Sequence, residues 1–405
     1  MRKAISLYLV LFMMVMTGCE MSEQPNSRAS EPSSAVEESS APVEEIKSLL
    51  VLREGEFSRK PHTPDREDVE RDRREASDWL WERRNDNPAS DFDASVLTDV
   101  EIIMEEVPAA QAPDAYCRGD WLVMESSGDE RRMMAYKRKG SALRFMFELK
   151  AQNGNLIQDV ALTESYLFWS EHTPMGTEWS LYYVLLNEPE TPHEILNSKE
   201  NSAVEEPRVF AMQDQLIVEL DYKGQEYGTV CGYDPRTDTW TALFLMGKLD
   251  FLLRGKGDEV YGADYDGNQW YALRYNLKTK EIYEMPLDFK YDTEKPMNVD
   301  FVGEWVVYCS NSLIKYAKNY RTGELRILPD AFTFSGMGDR YMVYTGSGDK
   351  NVYLYDFERD QSFKIDIGKE KCSSFLSGSG EMSIALPCDV KSEEGTQTVI
   401  HIREK

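Results

Sequence analysis

A chain of 405 residues carrying 72 acidic side chains against 46 basic ones, a net charge of -26, lacks the basic footprint that binds nucleic-acid phosphates or anionic lipid headgroups. A hydrophobic content of 41% can bury a sizeable core, and strand-length apolar runs at regular spacing assign that core to one large all-β domain. Such acidity favours solubility, and any charged partner is expected to be cationic: a basic peptide, a divalent metal or a polycation.

Met1-Arg2-Lys3 supplies a positive n-region, and Ala4 to Met16 is an almost unbroken apolar run. It is short for a bilayer core of about 30 Å but suits the apolar region of a signal peptide. Met16-Thr17-Gly18-Cys19 follows directly and resembles the lipobox of bacterial lipoproteins, with Met16 where that family most often has Leu. The resemblance implies that residues 1–18 are a lipoprotein signal peptide and that Cys19 becomes the lipidated first residue of the mature protein. Each buried methylene of the acyl chains contributes about 0.8 kcal/mol, so two or more chains give stable attachment. The protein is then expected on the extracytoplasmic side of a bacterial cell membrane or envelope.

Residues 19–45 are Ser, Glu, Pro and Ala with hardly any large apolar side chain, a composition that cannot offset its ordering entropy. The segment reads as a disordered tether with a root-mean-square span of about 28 Å. Residues 46–99 read as a helical or irregular linker. Within it, Ile46 to Leu52 is a short apolar run that could dock as a strand. Thr63 and Pro64 are suited to open a helix running to Arg84, with Asp65, Glu67 and Asp68 favouring its dipole.

From Val100 onward the chain repeats. The clearest copy is 249–287, where Phe251-Leu252-Leu253, Val260-Tyr261-Gly262-Ala263, Tyr271 to Tyr275 and Ile282 to Met285 alternate with Gly, Asn and Asp turns, the pattern of a four-stranded meander. Its first turn, Gly257-Asp258, recurs as Gly119-Asp120, Gly303-Glu304, Gly338-Asp339 and Gly380-Glu381, with Glu164-Ser165 and Gln213-Asp214 as degenerate copies. The spacing of roughly 35 to 50 residues gives about seven units. The strand after each such turn is continuously apolar, as in Tyr166-Leu167-Phe168-Trp169 and Tyr341-Met342-Val343-Tyr344, so both of its faces must be covered. Four-stranded units wedged between like units specify a single β-propeller of seven blades over 100–405. The last unit ends after Thr398 to Ile402 without a fourth strand. The orphan run Val100 to Val107 is expected to supply it and so close the ring.

These units resemble those of TolB-like and WD-repeat-like propellers of bacterial lipoproteins. They lack the Ser-Pro-Asp-Gly turn of the former and the Gly-His and Trp-Asp pairs of the latter. The likeness is one of architecture and carries no function by itself.

The histidines, His62, His172, His193 and His401, are scattered, and no His-Glu-x-x-His, Gly-x-Ser-x-Gly or zinc-spaced cysteine motif occurs. No catalytic residue, metal ligand or cofactor is therefore assigned. Asp264 to Asn268 begins like a calcium loop, but Gln269 and Tyr275 stand where its Gly and bidentate Glu belong, which leaves a hairpin turn. Cys372 and Cys388 flank one hairpin and are a candidate disulfide, whereas Cys117, Cys231 and Cys309 read as buried thiols. The candidate ligand rim comprises Glu171, His172 and Trp179 in an enlarged loop, with Tyr222, Tyr227, Asp264, Tyr265 and Trp270 on neighbouring units. Aromatic rings beside acids suit a sugar or a cationic peptide. The expected function is non-catalytic binding of a protein, peptide or glycan by a membrane-anchored propeller. A propeller glycan hydrolase or lyase with carboxylates in the central channel, and a structural envelope scaffold, are the alternatives.

Overall fold

The computed structural model describes residues 92–405 apart from 109–113, 126–131, 141, 224–226, 248–253, 266–269, 287–297, 310–314, 320, 330, 347–350, 369–378, 381–382 and 389–395. The expectations for the signal peptide, Cys19, the tether, Ile46 to Leu52, the helix from Pro64 to Arg84, and Cys372 all lie outside the described residues. Cys117, Cys231 and Cys388 are buried.

Seven four-stranded antiparallel sheets form the propeller. Blades 1 to 6 span 114–150, 156–197, 208–247, 254–286, 298–327 and 331–365. Blade 7 combines 379–404 with the strand Val100–Pro108. Successive blades touch chiefly through their first strands, which places those strands nearest the axis. The closing strand pairs as the sequence requires, with Ile102 opposite Ile402, Ile103 opposite His401 and Met104 opposite Ile400. One boundary differs from the sequence reading: the first strand of blade 4 is Arg254–Lys256, immediately before the turn, while Phe251 to Leu253 fall outside the described residues.

Continuous apolar strands arise because neighbouring side chains serve different seams. On Tyr166–His172, Leu167 and Trp169 pack toward blade 1, while Tyr166 and Phe168 pack toward blade 3. Blade 3 does the same, with Leu216 and Val218 facing blade 2 and Ile217 facing blade 4. Burying each such side chain contributes about 1.5–3 kcal/mol, so the blade seams are the core.

The turns are fixed locally. Asp234, Asn276, Asn319 and Asp356 each accept a backbone N–H from the residue two positions on, through a side-chain oxygen at 2.9–3.0 Å. Four positions after each stands a left-handed residue: Asp238, Lys280, Gly323 and Asp360. The inner turns use positive φ at Gly119, Gln213, Gly257, Gly303 and Gly338. At Gly303 a side chain would also collide with the Asp339 carbonyl of the next blade. The degenerate copy at Glu164 is held differently, by the buried Thr163 hydroxyl, which accepts the N–H groups of Ser165 and Tyr166 at 3.1 and 2.8 Å.

Candidate functional site

Glu171 organises the loops that flank the first and second strands of blade 2. It ends the apolar run of Tyr166–His172 and is fully buried. Its Oε1 accepts the Trp169 indole N–H at 2.8 Å, and its Oε2 accepts the Gln152 backbone N–H at 2.8 Å and the Asn155 side-chain amide at 3.3 Å. Burial pushes this carboxyl above its ordinary range, and those three donors oppose the shift. The carboxylate thereby pins the connection from blade 1, a single helical turn over Gln152–Gly154 with Asn153 in the left-handed region at φ 53°.

His172 is half-buried, with Nδ1 2.9 Å from the Thr173 carbonyl. The loop beyond it is closed by the Thr173 N–H donating to the Glu178 carbonyl at 2.9 Å, and by the Thr173 hydroxyl accepting the N–H groups of Thr177 and Glu178 at 3.3 Å. Met175 at the tip is 84% exposed. Trp179 is buried, and its backbone N–H donates to the Ser198 hydroxyl at 2.9 Å.

Between these loops and the outer strands of blade 2 lies a pocket of about 480 Å³. One wall is a connected polar network. Tyr182 stacks on Trp169 with ring centres 5.6 Å apart. Burial raises the pKa of its hydroxyl above the ordinary phenol value, and the nearby carboxylates of Glu194 and Glu171 add to the rise. Asn197 Nδ2 donates to Glu194 Oε1 at 2.7 Å, and Asn197 Oδ1 accepts the N–H groups of Lys199 and Glu200 at 3.0 and 2.9 Å. A register shift after Leu181 sets Tyr182 opposite Glu194 and leaves Ile195 unmatched, the re-aiming that a bulge performs. Lys199 and Glu178 form an exposed ion pair at 3.5 Å.

Nearer the axis is a second polar group. Ser170 Oγ accepts the Asp159 N–H at 3.3 Å and donates to Glu206 Oε1 at 3.4 Å. Burial raises the pKa of both carboxyls; for Glu206, His172 opposes the rise and Asp159 adds to it. Asp159 also accepts the Val209 N–H of blade 3 at 3.3 Å. Asp300 of blade 5 accepts the Gly336 N–H of blade 6 at 2.9 Å in the same way, so part of the role of Asp159 is to join blades.

Of the rim residues read from the sequence, Glu171, His172 and Trp179 gather on blade 2. Tyr222 of blade 3 is buried in the seam with blade 2, in the same apolar cluster as Trp179. Tyr227 pairs with Gly247 on blade 3; on blade 4, Tyr265 pairs with Trp270 and Asp264 with Tyr271. Residues that pattern reading passed over complete the pocket: Asn153, Asn155, Ser180, Tyr182, Glu194 and Asn197. The one signal for them is the alternation of Ser180 and Tyr182 along Trp179–Leu185.

No protein-family model matches the chain, and no curated protein matches it. Among solved structures it is similar to a prolyl endopeptidase, at 12% identity and a TM-score of 0.47, over 72% of this chain and 46% of that one. The chain thus spans about half the length of that protein. It is also similar to the β-propeller domain of the Trilobed protease from Pyrococcus furiosus, at 12% identity and a TM-score of 0.48, over 72% of this chain and 96% of that one. A third likeness is to YCF48 bound to D1 peptide, at 10% identity and a TM-score of 0.48, over 79% of this chain and 98% of that one.

Proposed function

We propose that this chain is a lipid-anchored, extracytoplasmic β-propeller that binds a ligand in the blade 2 pocket without transforming it. The observation that carries the reading is the engagement of the pocket's carboxylates. Of the carboxylates that line it, Glu194 accepts from Asn197 and Glu178 pairs with Lys199, while the buried Glu171 behind the wall holds three donors. Carboxylates fixed in this way form a preorganised wall, which favours affinity over proton transfer. The lipobox-like Met16 to Cys19 supports the anchoring half of the proposal.

Two measurements test it. Cells fed a clickable fatty acid should label the wild type and not Cys19→Ser. Mild cross-linking of the intact protein should trap a ligand-bearing partner that Glu194→Gln fails to hold; equal trapping by both would remove the pocket from the function.

A catalytic reading draws support from Asp159 and Glu206, two carboxyls raised by burial beside one serine hydroxyl. It requires that Asp159→Asn and Glu206→Gln each abolish release of reducing sugar from a bacterial cell-wall glycan that the wild type degrades. No release by the wild type would end it.

A further inference from the structure

We infer that the blade 2 pocket takes a neutral glycan, a mono- or disaccharide unit of a larger chain, a statement that rests on the reading of this pocket as a binding site. Size comes first: about 480 Å³ lies within the range of roughly 300–1,000 Å³ typical of small-ligand sites. A bare cation would leave most of that space unfilled.

The chemistry of the wall narrows the class. Sugar hydroxyls both donate and accept, and they are met by groups that do the same. The side-chain amides of Asn153 and Asn155 and the hydroxyls of Ser180 and Tyr182 are such groups, and all four line the pocket. Tyr182, stacked on Trp169, adds an aromatic body against which the C–H face of a sugar ring can pack.

Charge argues against other ligands. Recognition of phosphate or sulfate calls for guanidinium groups, several ammonium groups or a helix N-terminus. Among the described residues that line the pocket, the one cation is Lys199, which is paired with Glu178 at the exposed lip. A basic side chain would need a carboxylate to receive it; of the two that line the pocket, Glu178 pairs with Lys199 and Glu194 accepts from Asn197.

The site is also built before any ligand arrives. Glu171 pins the loop bearing Asn153 and Asn155, Asn197 caps the turn at Lys199, and the bulge after Leu181 aims Glu194. A polar ligand whose hydroxyls are strongly hydrated gains most from such a wall, because little ordering remains to be done on binding.

Saturation-transfer NMR on the full chain in detergent tests the inference, using maltose, cellobiose, lactose and N,N'-diacetylchitobiose as neutral probes and inorganic phosphate and pentalysine as charged ones. At least one neutral disaccharide should receive saturation, and the charged probes should not. Ser180→Ala and Glu194→Gln should each weaken that binding by about fivefold to tenfold, the worth of one hydrogen bond, with the near-ultraviolet circular dichroism of both variants unchanged. Sugar binding that is equal in wild type and both variants overturns the inference. Pentalysine binding lost in the variants, with no sugar signal, overturns the glycan class and keeps the pocket as a binding site. Silence from every probe, together with cross-linked partners that ignore Glu194→Gln, overturns both.

Discussion

Arg138 of blade 1 and Glu105 of the closing strand meet through two parallel hydrogen bonds of 2.7 and 2.6 Å, with side chains only 8% and 10% exposed. The pair locks the seam at which the two ends of the ring meet. Removing one member leaves a buried, uncompensated charge, so Arg138→Leu or Glu105→Leu should each destabilise the fold by about 3–5 kcal/mol. The double replacement should be milder than the sum of the two. Urea denaturation of the four proteins measures the difference, and simple additivity would show that the pair is not coupled.

His401 lies against that pair, with Nδ1 3.2 Å from Arg138 and the ring buried. Burial first, then Arg138 and Arg403, hold its pKa down to about 4. Between that value and the ordinary value near 6.5 the unfolded chain binds a proton that the folded chain refuses. Stability from this group is therefore fully present above about pH 6.5 and is lost as pH falls toward about 4, by about 3 kcal/mol in all. His401→Gln should flatten this part of the stability profile relative to wild type, whatever the carboxyls contribute to both. Parallel profiles from pH 7 to 4 would contradict the assignment.

Glu171 should matter for the pocket through the loop it holds. Glu171→Ala strands the buried Trp169 N–H and frees the Gln152–Gly154 turn, each unsatisfied buried donor costing about 1–3 kcal/mol. Glu171→Gln retains an acceptor and should lose less. Thermal melting, with tryptic cleavage after Lys150 as a local readout, should rank wild type, then Gln, then Ala.

The outer turns give a prediction of opposite sign at two equivalent positions. Lys280 adopts φ 63° and Gly323 φ 74° at the same place in neighbouring blades. Lys280→Gly should stabilise blade 4 by up to about 1 kcal/mol, whereas Gly323→Ala should destabilise blade 5 by about 1–2 kcal/mol. Calorimetry of the two variants decides it, and equal shifts of the same sign would rule out the turn argument.

The ring was legible in the sequence because what builds it is local. Asp234, Asn276, Asn319 and Asp356 bond within their own turns, the runs such as Tyr166 to Trp169 carry apolar residues for both seams, and the orphan strand at Val100 matches a missing partner at Ile402. The pocket was only half legible. Glu171, His172 and Trp179 stand out in one loop, but Asn153, Ser180 and Glu194 have no shared spacing in the chain. A register shift inside the last hairpin of blade 2 brings Glu194 opposite Tyr182. Glu171 reads as a rim acid from its position and is instead buried under three donors.

The amino-acid order alone thus determines the seven-fold repeat and its closure, because hydrogen bonds within turns and the alternation of apolar faces depend on neighbours a few residues away. Tertiary structure decides which polar groups share a pocket and which are sealed as struts. That outcome depends on bulges, loop paths and the meeting of blade 7 with blade 1, where Arg138 finds Glu105 and His401 across a seam that no local pattern describes.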